Sequence, residues 1–131
     1  MKMKSLAIPS LRYAMGLVFI YFGSNQLMNP NRWTALVPDW IQNIVSANTV
    51  VTMNGIFEII FGILLILGLF TKLASLLLAL HLVGITIGMG YNPVGVRDFG
   101  LTIATFAIFV SDVDEYCLDN KVRTKRKNKI F

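Results

Sequence analysis

The chain has 131 residues, 55% of them hydrophobic and 15% charged, with a mean hydropathy of +0.64. A globule of that size leaves much of its surface in water, so the composition excludes an ordinary soluble domain and places the chain in a membrane. The net charge of +5 does not argue for nucleic acid, because half of the 12 basic residues sit in one tail, Lys121-Val-Arg-Thr-Lys-Arg-Lys-Asn-Lys129. Beside a hydrophobic segment, such a run reads first as a topology signal and an anionic-lipid contact.

Four apolar stretches follow one another, and lengths near 20 residues suit a hydrocarbon core of about 30 Å. The first, 9–28, is preceded by Lys2 and Lys4 like a secretory signal, but Arg12 interrupts it, Asn25 and Gln26 close it, and no small-residue cleavage pattern follows. It is therefore expected to be kept as a helix. Residues 29–46 hold Pro30, Pro38, Trp33 and Trp40 among polar residues, which predicts an interfacial segment and not a span. The second stretch, 50–70, contains Glu58, and only Thr71-Lys72 separates it from the third, 73–91, which requires a tight helical hairpin. The fourth is 96–111, and the basic tail takes 112–131. The expected architecture is all-α: an integral membrane four-helix bundle, one domain over 1–131, with the interfacial segment between helices 1 and 2. Lys2, Lys4, Lys72 and the tail fall on one side of it and Arg32 and Arg97 on the other, so both termini are assigned to the cytoplasmic face of the cell membrane.

Ionisable residues in hydrocarbon are costly, about 2.5–3.5 kcal/mol on the lenient insertion scale, and need partners. Counting about 1.5 Å per residue from the cytoplasmic end of each span puts Arg12 about 5 Å deep, His81 about 12 Å, Glu58 about 18 Å, Asp98 about 20 Å, Arg97 about 21 Å and Asn54 about 24 Å. Glu58 and Arg97 are thus expected to pair inside the bundle, with Asn54 beside them and with His81 and Arg12 nearer the cytoplasm. Asn25, Gln26, Asn54, Glu58, Arg97 and Asp98 are expected to line a pocket toward the outer leaflet, because the uncharged part of the fourth span is short. Glycine and alanine recur beside these positions, at Gly16, Gly23, Gly62, Gly100 and Ala104, as close helix approach in a membrane requires.

Three segments, Leu11-Arg-Tyr-Ala-Met-Gly-Leu-Val-Phe-Ile-Tyr-Phe-Gly23, Glu58-Ile-Ile-Phe-Gly running on to Thr71, Ala74 and His81, and Val96-Arg-Asp-Phe-Gly-Leu101, together resemble the DoxX family of small four-helix membrane proteins. The resemblance covers about residues 10–111. It implies association with a thiosulfate:quinone oxidoreductase or with membrane complexes of oxidative-stress and thiol metabolism. A lone cysteine, Cys117, offers no dithiol relay, a lone histidine no haem pair or multi-histidine metal site, and no glycine-rich nucleotide loop is present. No self-contained catalytic machinery or intrinsic cofactor is therefore read. A quinone is the candidate ligand, with redox subunits or a second copy of the chain as partners besides the lipid bilayer.

Three function classes remain open on the sequence. One is a non-catalytic or quinone-contacting subunit of a membrane oxidoreductase. Another is a structural or assembly protein whose polar interior only fixes the fold, and the third is a small-molecule or proton conduit.

Overall fold

The computed structural model describes residues 6–130, and within them every regular element is helical. Helix α1 runs Ala7–Met28 and is followed by two 3-10 turns, Pro30–Arg32 and Thr34–Leu36, and by the short helix α2, Asp39–Gln42. Then come α3 (Ala47–Leu67), α4 (Thr71–Met89), α5 (Pro93–Val110) and α6 (Leu118–Asn128). The long helices fall within three residues of the predicted stretches, and α3, α4 and α5 are each long and apolar enough to cross a membrane. Lys2 and Lys4, used above for topology, lie outside the described residues. Within the tail, Leu118–Asn128 forms α6.

Each boundary has a local cause. Ser46 caps α3 by accepting the Thr49 N–H at 3.3 Å, and Gly68 ends it in the left-handed region at φ 69°. The N–H groups of Leu69 and Gly68 then return to the carbonyls of Leu64 and Leu65, which closes a Schellman turn. Asn92 caps α5 by accepting the Gly95 N–H at 2.9 Å, with Pro93 in the first turn, where a missing N–H costs nothing.

Helix-to-helix packing is concentrated in two pairs, α1 with α3 and α4 with α5. The first pair is built on glycine facing glycine. A Cβ on Gly23 would stand 2.7 Å from the Gly55 carbonyl oxygen and one on Gly55 2.8 Å from that of Gly23; Gly16 and Gly62 repeat the arrangement at 2.9 and 3.0 Å. Only residues without side chains permit backbones to approach so closely.

The core uniting the pairs is a layer of Met15, Phe19, Leu65, Ala74, Leu78, Leu82 and Ile108. The buried hydroxyls of Ser75, Thr102 and Thr105 donate to carbonyls of their own helices, so no strong donor is stranded there. Large apolar side chains point outward along every long helix, including Tyr21, Ile60, Ile87, Phe99 and Val110. Exposure of that extent suits acyl chains, not water.

Because successive long helices alternate in direction, one end of the bundle gathers the start of α1, the α3–α4 turn and the segment after α5. The other end gathers residues 29–46 and the α4–α5 loop.

Candidate functional site: a polar-floored cavity at one end and a closed ion pair at the other

The end beneath residues 29–46 holds a cavity of about 590 Å³. Its wall is mostly apolar, with Phe19 and Phe22 from α1, Val51 from α3, Ile85 from α4 and Leu101 from α5. Trp33, Val37, Pro38, Trp40 and Ile41 of the connecting segment also line it. Trp33 is held in place by donating its Nε1–H to Asn25 Oδ1 at 3.0 Å and by packing edge-on against Phe22.

The polar lining is Gln26, Asn54, Glu58, His81, Arg97 and Asp98. Glu58 is 4% exposed and is held by amides: Gln26 Nε2 donates to Oε2 at 3.3 Å, and Asn54 Nδ2 donates to Oε1 at 3.2 Å and to Gln26 Oε1 at 2.7 Å. Asn54 lies one helical turn before Glu58 on α3, whereas Gln26 reaches across from α1 just past the Gly23–Gly55 contact. The close glycine seam is thus what brings the second amide to the carboxylate. His81 Nε2 stands 3.4 Å from Glu58 Oε1, near enough for a charge pair when the ring is protonated, yet it is aligned for no hydrogen bond to a protein group. Phe57 packs on the imidazole with ring centroids 4.8 Å apart.

This pairing corrects the sequence expectation. Among the described residues no ion pair joins Glu58 to Arg97; Arg97 binds its own neighbour Asp98, Nε and Nη2 donating to Oδ1 at 2.9 and 2.8 Å. The Arg97 side chain is 46% exposed and its guanidinium lies 5.0 Å from the centroid of the Phe22 ring, so it belongs to the cavity rim while Asp98 is buried. His81 was expected nearer the cytoplasm than Glu58, but α3 ends at Leu67 and α4 begins at Thr71. Recounted from those ends, Glu58 is about 14 Å and His81 about 15 Å along its helix, which levels them. Asn25 supports the cavity through Trp33 and is not part of its lining.

Arg12 stands near the start of α1, as depth counting expected, and takes no part in the cavity. Fully buried at the opposite end, it donates Nε to Asp114 Oδ2 at 2.9 Å, Nη2 to Asp114 Oδ1 at 3.2 Å, and Nη1 to the carbonyls of Leu65 and Ile66 at 2.5 and 2.7 Å. The forked guanidinium matches a carboxylate bidentately and still has a donor for two carbonyls in the last turn of α3. Next to it Cys117 is fully buried against Gly68, where any Cβ would stand 2.6 Å from the Cys117 Cα. Asp119 accepts from the N–H groups of Phe70 and Thr71, both at 2.8 Å, and from the Thr71 hydroxyl at 2.9 Å, while its own N–H donates to the Gly68 carbonyl at 3.0 Å. It thereby caps α4 from far along the chain and holds Phe70 in its left-handed conformation at φ 48°.

Burial by itself would raise the Asp114 carboxyl, but hydrogen bonds from Arg12 and Cys117, with the Arg12 charge, bring it below the ordinary carboxylate range. Burial pushes the Cys117 thiol up, only partly opposed by Thr71 and Arg12. Sequence reasoning missed Asp114 and Asp119. The signal that could have found them was the acidic cluster Asp112-Val-Asp-Glu115 directly after the fourth stretch, at the same end as an Arg12 with no acid near it in sequence.

No curated protein and no solved structure matches the chain. The family model DoxX matches residues 7–90, a span that takes in α1 to α4 with Arg12, Gln26, Asn54, Glu58 and His81 and stops before Arg97 and Asp98. With well over half its length so matched and its long helices apolar on the outside, the chain belongs to the DoxX family of membrane proteins.

Proposed function

We propose that the protein spans the cell membrane four times, α1 crossing it along with α3, α4 and α5, and binds a quinone headgroup in the cavity as a subunit of a membrane oxidoreductase whose redox centres lie in partner chains. The observation that carries this reading is a buried carboxylate at the floor of an apolar cavity of about 590 Å³, within the range of small-molecule sites. Phe19, Phe22 and Ile85 supply faces for a ring and its isoprenoid chain. Glu58 accepts from a quinol hydroxyl, and the Nε2–H of His81 donates to a quinone carbonyl. Arg97 at the rim offers a donor to a second ring oxygen. The basic residues Lys72 and those of α6 share the end away from the cavity, which supports cytoplasmic termini and a cavity toward the outer leaflet.

A structural reading has support of its own, because Gln26 and Asn54 already donate one hydrogen bond to each carboxylate oxygen of Glu58. A conduit has less, since the packed layer of Met15, Leu65, Leu78 and Ile108 lies between the cavity and the Arg12 end.

Trp33 and Trp40 line the cavity, so titrating the purified full chain in mild detergent with a short-chain benzoquinone and following tryptophan quenching tests the proposal. Saturable quenching is expected. Replacing Glu58→Gln should weaken binding of the reduced form, the benzoquinol, about 10-fold or more, because only the quinol has a hydroxyl to donate to the carboxylate. Quenching that never saturates overturns the proposal, and equal affinity in a Glu58→Gln protein of reduced stability supports the structural reading instead.

A further inference from the structure

Helix α6 carries Lys121, Arg123, Lys125, Arg126 and Lys127 within 11 residues, and among the described residues none of these cations forms an ion pair. None of its residues is buried. Lys121 with Lys125 and Arg123 with Lys127 place like charges four apart, which destabilises a helix, and 11 residues are fewer than an isolated helix needs in water. Asp119 in the first turn and three cations in the last suit the helix dipole, but contributions of that kind do not replace packing. What the molecule does supply is position. Asp119 is bound to Phe70, Thr71 and Gly68, so α6 starts at the turn between two membrane-spanning helices, at the level where hydrocarbon gives way to headgroups. One face of α6 presents Leu118 and Val122, the latter 59% exposed, flanked by Lys121, Lys125 and Arg126.

We propose that α6 is a headgroup-binding helix that folds against anionic phospholipid of its own leaflet, with Val122 toward the acyl boundary and Lys121, Lys125 and Arg126 on the phosphates. The clasp through Asp119 fixes its start, and lipid charge supplies the compensation that the chain itself lacks. The occupant is lipid and not an acidic protein because the attachment leaves the helix at the membrane surface whether or not a partner is present. Each cation brought to an anionic surface favours docking by roughly fivefold.

Hydrogen exchange of the full chain in nanodiscs tests this without altering the protein. In phosphatidylcholine alone, amides of residues 120–128 should exchange nearly as fast as unstructured peptide. In phosphatidylcholine mixed with phosphatidylglycerol they should slow by tenfold or more, and salt at about 1 M, where the Debye length is about 3 Å, should remove the protection. Changing Lys121, Lys125 and Arg126 together to Gln should abolish the lipid effect while amides of α3 and α4 keep their protection, which shows the bundle intact. Equal exchange in the two lipids overturns the proposal. So does protection that appears only when an acidic polypeptide is added to neutral nanodiscs.

Discussion

The two ends of this bundle each bury an ionisable side chain, and they treat it differently. At the clasped end Arg12 meets a bidentate carboxylate and two carbonyls, and the chain packs around it until Cys117, Leu65 and Ala74 have no measurable exposure. At the cavity end Glu58 is held by two amides, a histidine nitrogen stands beside it without a hydrogen bond, and the surrounding helices leave room for a ligand. Full compensation with close packing is what a fold-securing pair looks like. Incomplete compensation beside open space is what a site looks like, and the contrast separates the two roles better than the presence of buried charge alone.

The sharpest way to break the comparison is to remove Arg12. Arg12→Ala strands Asp114 and should cost about 3–5 kcal/mol, read as a large fall in the thermal unfolding midpoint in detergent. The double change Arg12→Met with Asp114→Leu should recover much of that loss. If Arg12→Ala leaves the midpoint unmoved, the clasp does not secure the fold.

Gly16 and Gly23 ask whether the ends differ in backbone packing or only in polar groups. Gly16→Ala and Gly23→Ala should each cost about 1–3 kcal/mol, because the new methyl meets backbone oxygen across the α1–α3 seam. Gly100, which has open space where a Cβ would go, should tolerate alanine with no loss and a gain of up to about 1 kcal/mol. A marked inequality between Gly16 and Gly23 in equilibrium unfolding would show that the cavity end is looser in its backbone too.

Glu58→Gln preserves shape and should change stability by less than about 1 kcal/mol while weakening quinol binding, the reverse of the Arg12 pattern. A Glu58→Gln protein as unstable as Arg12→Ala would erase the distinction between the ends.

The pH response is smaller and has a definite sign. The folded Asp114 carboxyl lies below its ordinary value, so its contribution to stability is complete above the unfolded carboxylate range near 3.8 and is lost as pH falls through the lower folded value. Unfolding midpoints should therefore hold from neutrality down to the carboxylate range and then fall, and Asp114→Asn should flatten that acid limb. Smallest of all is Cys117. Buried, with its thiol pushed up, it should resist a permeant maleimide at neutral pH in the folded protein and react once the protein is unfolded.

Helix positions were largely legible because long apolar runs with punctuation such as Gly68 and Asn92-Pro93 leave few alternatives. Glu58 stood out for the same reason, as a charge where its neighbours are Ile and Phe. Its partner was not legible. Depth counting carries about 1.5 Å for each residue of boundary error, and shifts of two and three residues at Thr71 and Leu67 were enough to separate His81 from Glu58 on paper. Arg97 was sent to the wrong carboxylate because residues i and i+1 on a helix do not normally face each other, yet a long guanidinium at an exposed rim bends back to Asp98. The clasp was legible only as far as the acidic cluster Asp112-Val-Asp-Glu115, because composition gives no geometry for the turn that brings Asp114 and Asp119 home.

Arg12 and Asp114 are 102 residues apart, the first near the beginning of the earliest helix and the second after the last long one. At about 5–20 residues per second of synthesis, the arginine therefore waits on the order of 5–20 s before its counter-charge leaves the ribosome. Throughout that interval α1 carries a guanidinium without its carboxylate, left with only the carbonyls of Leu65 and Ile66 once α3 has been made. The ion pair is open only to a chain made past residue 114, and one cut short before it keeps an arginine in α1 without its counter-charge.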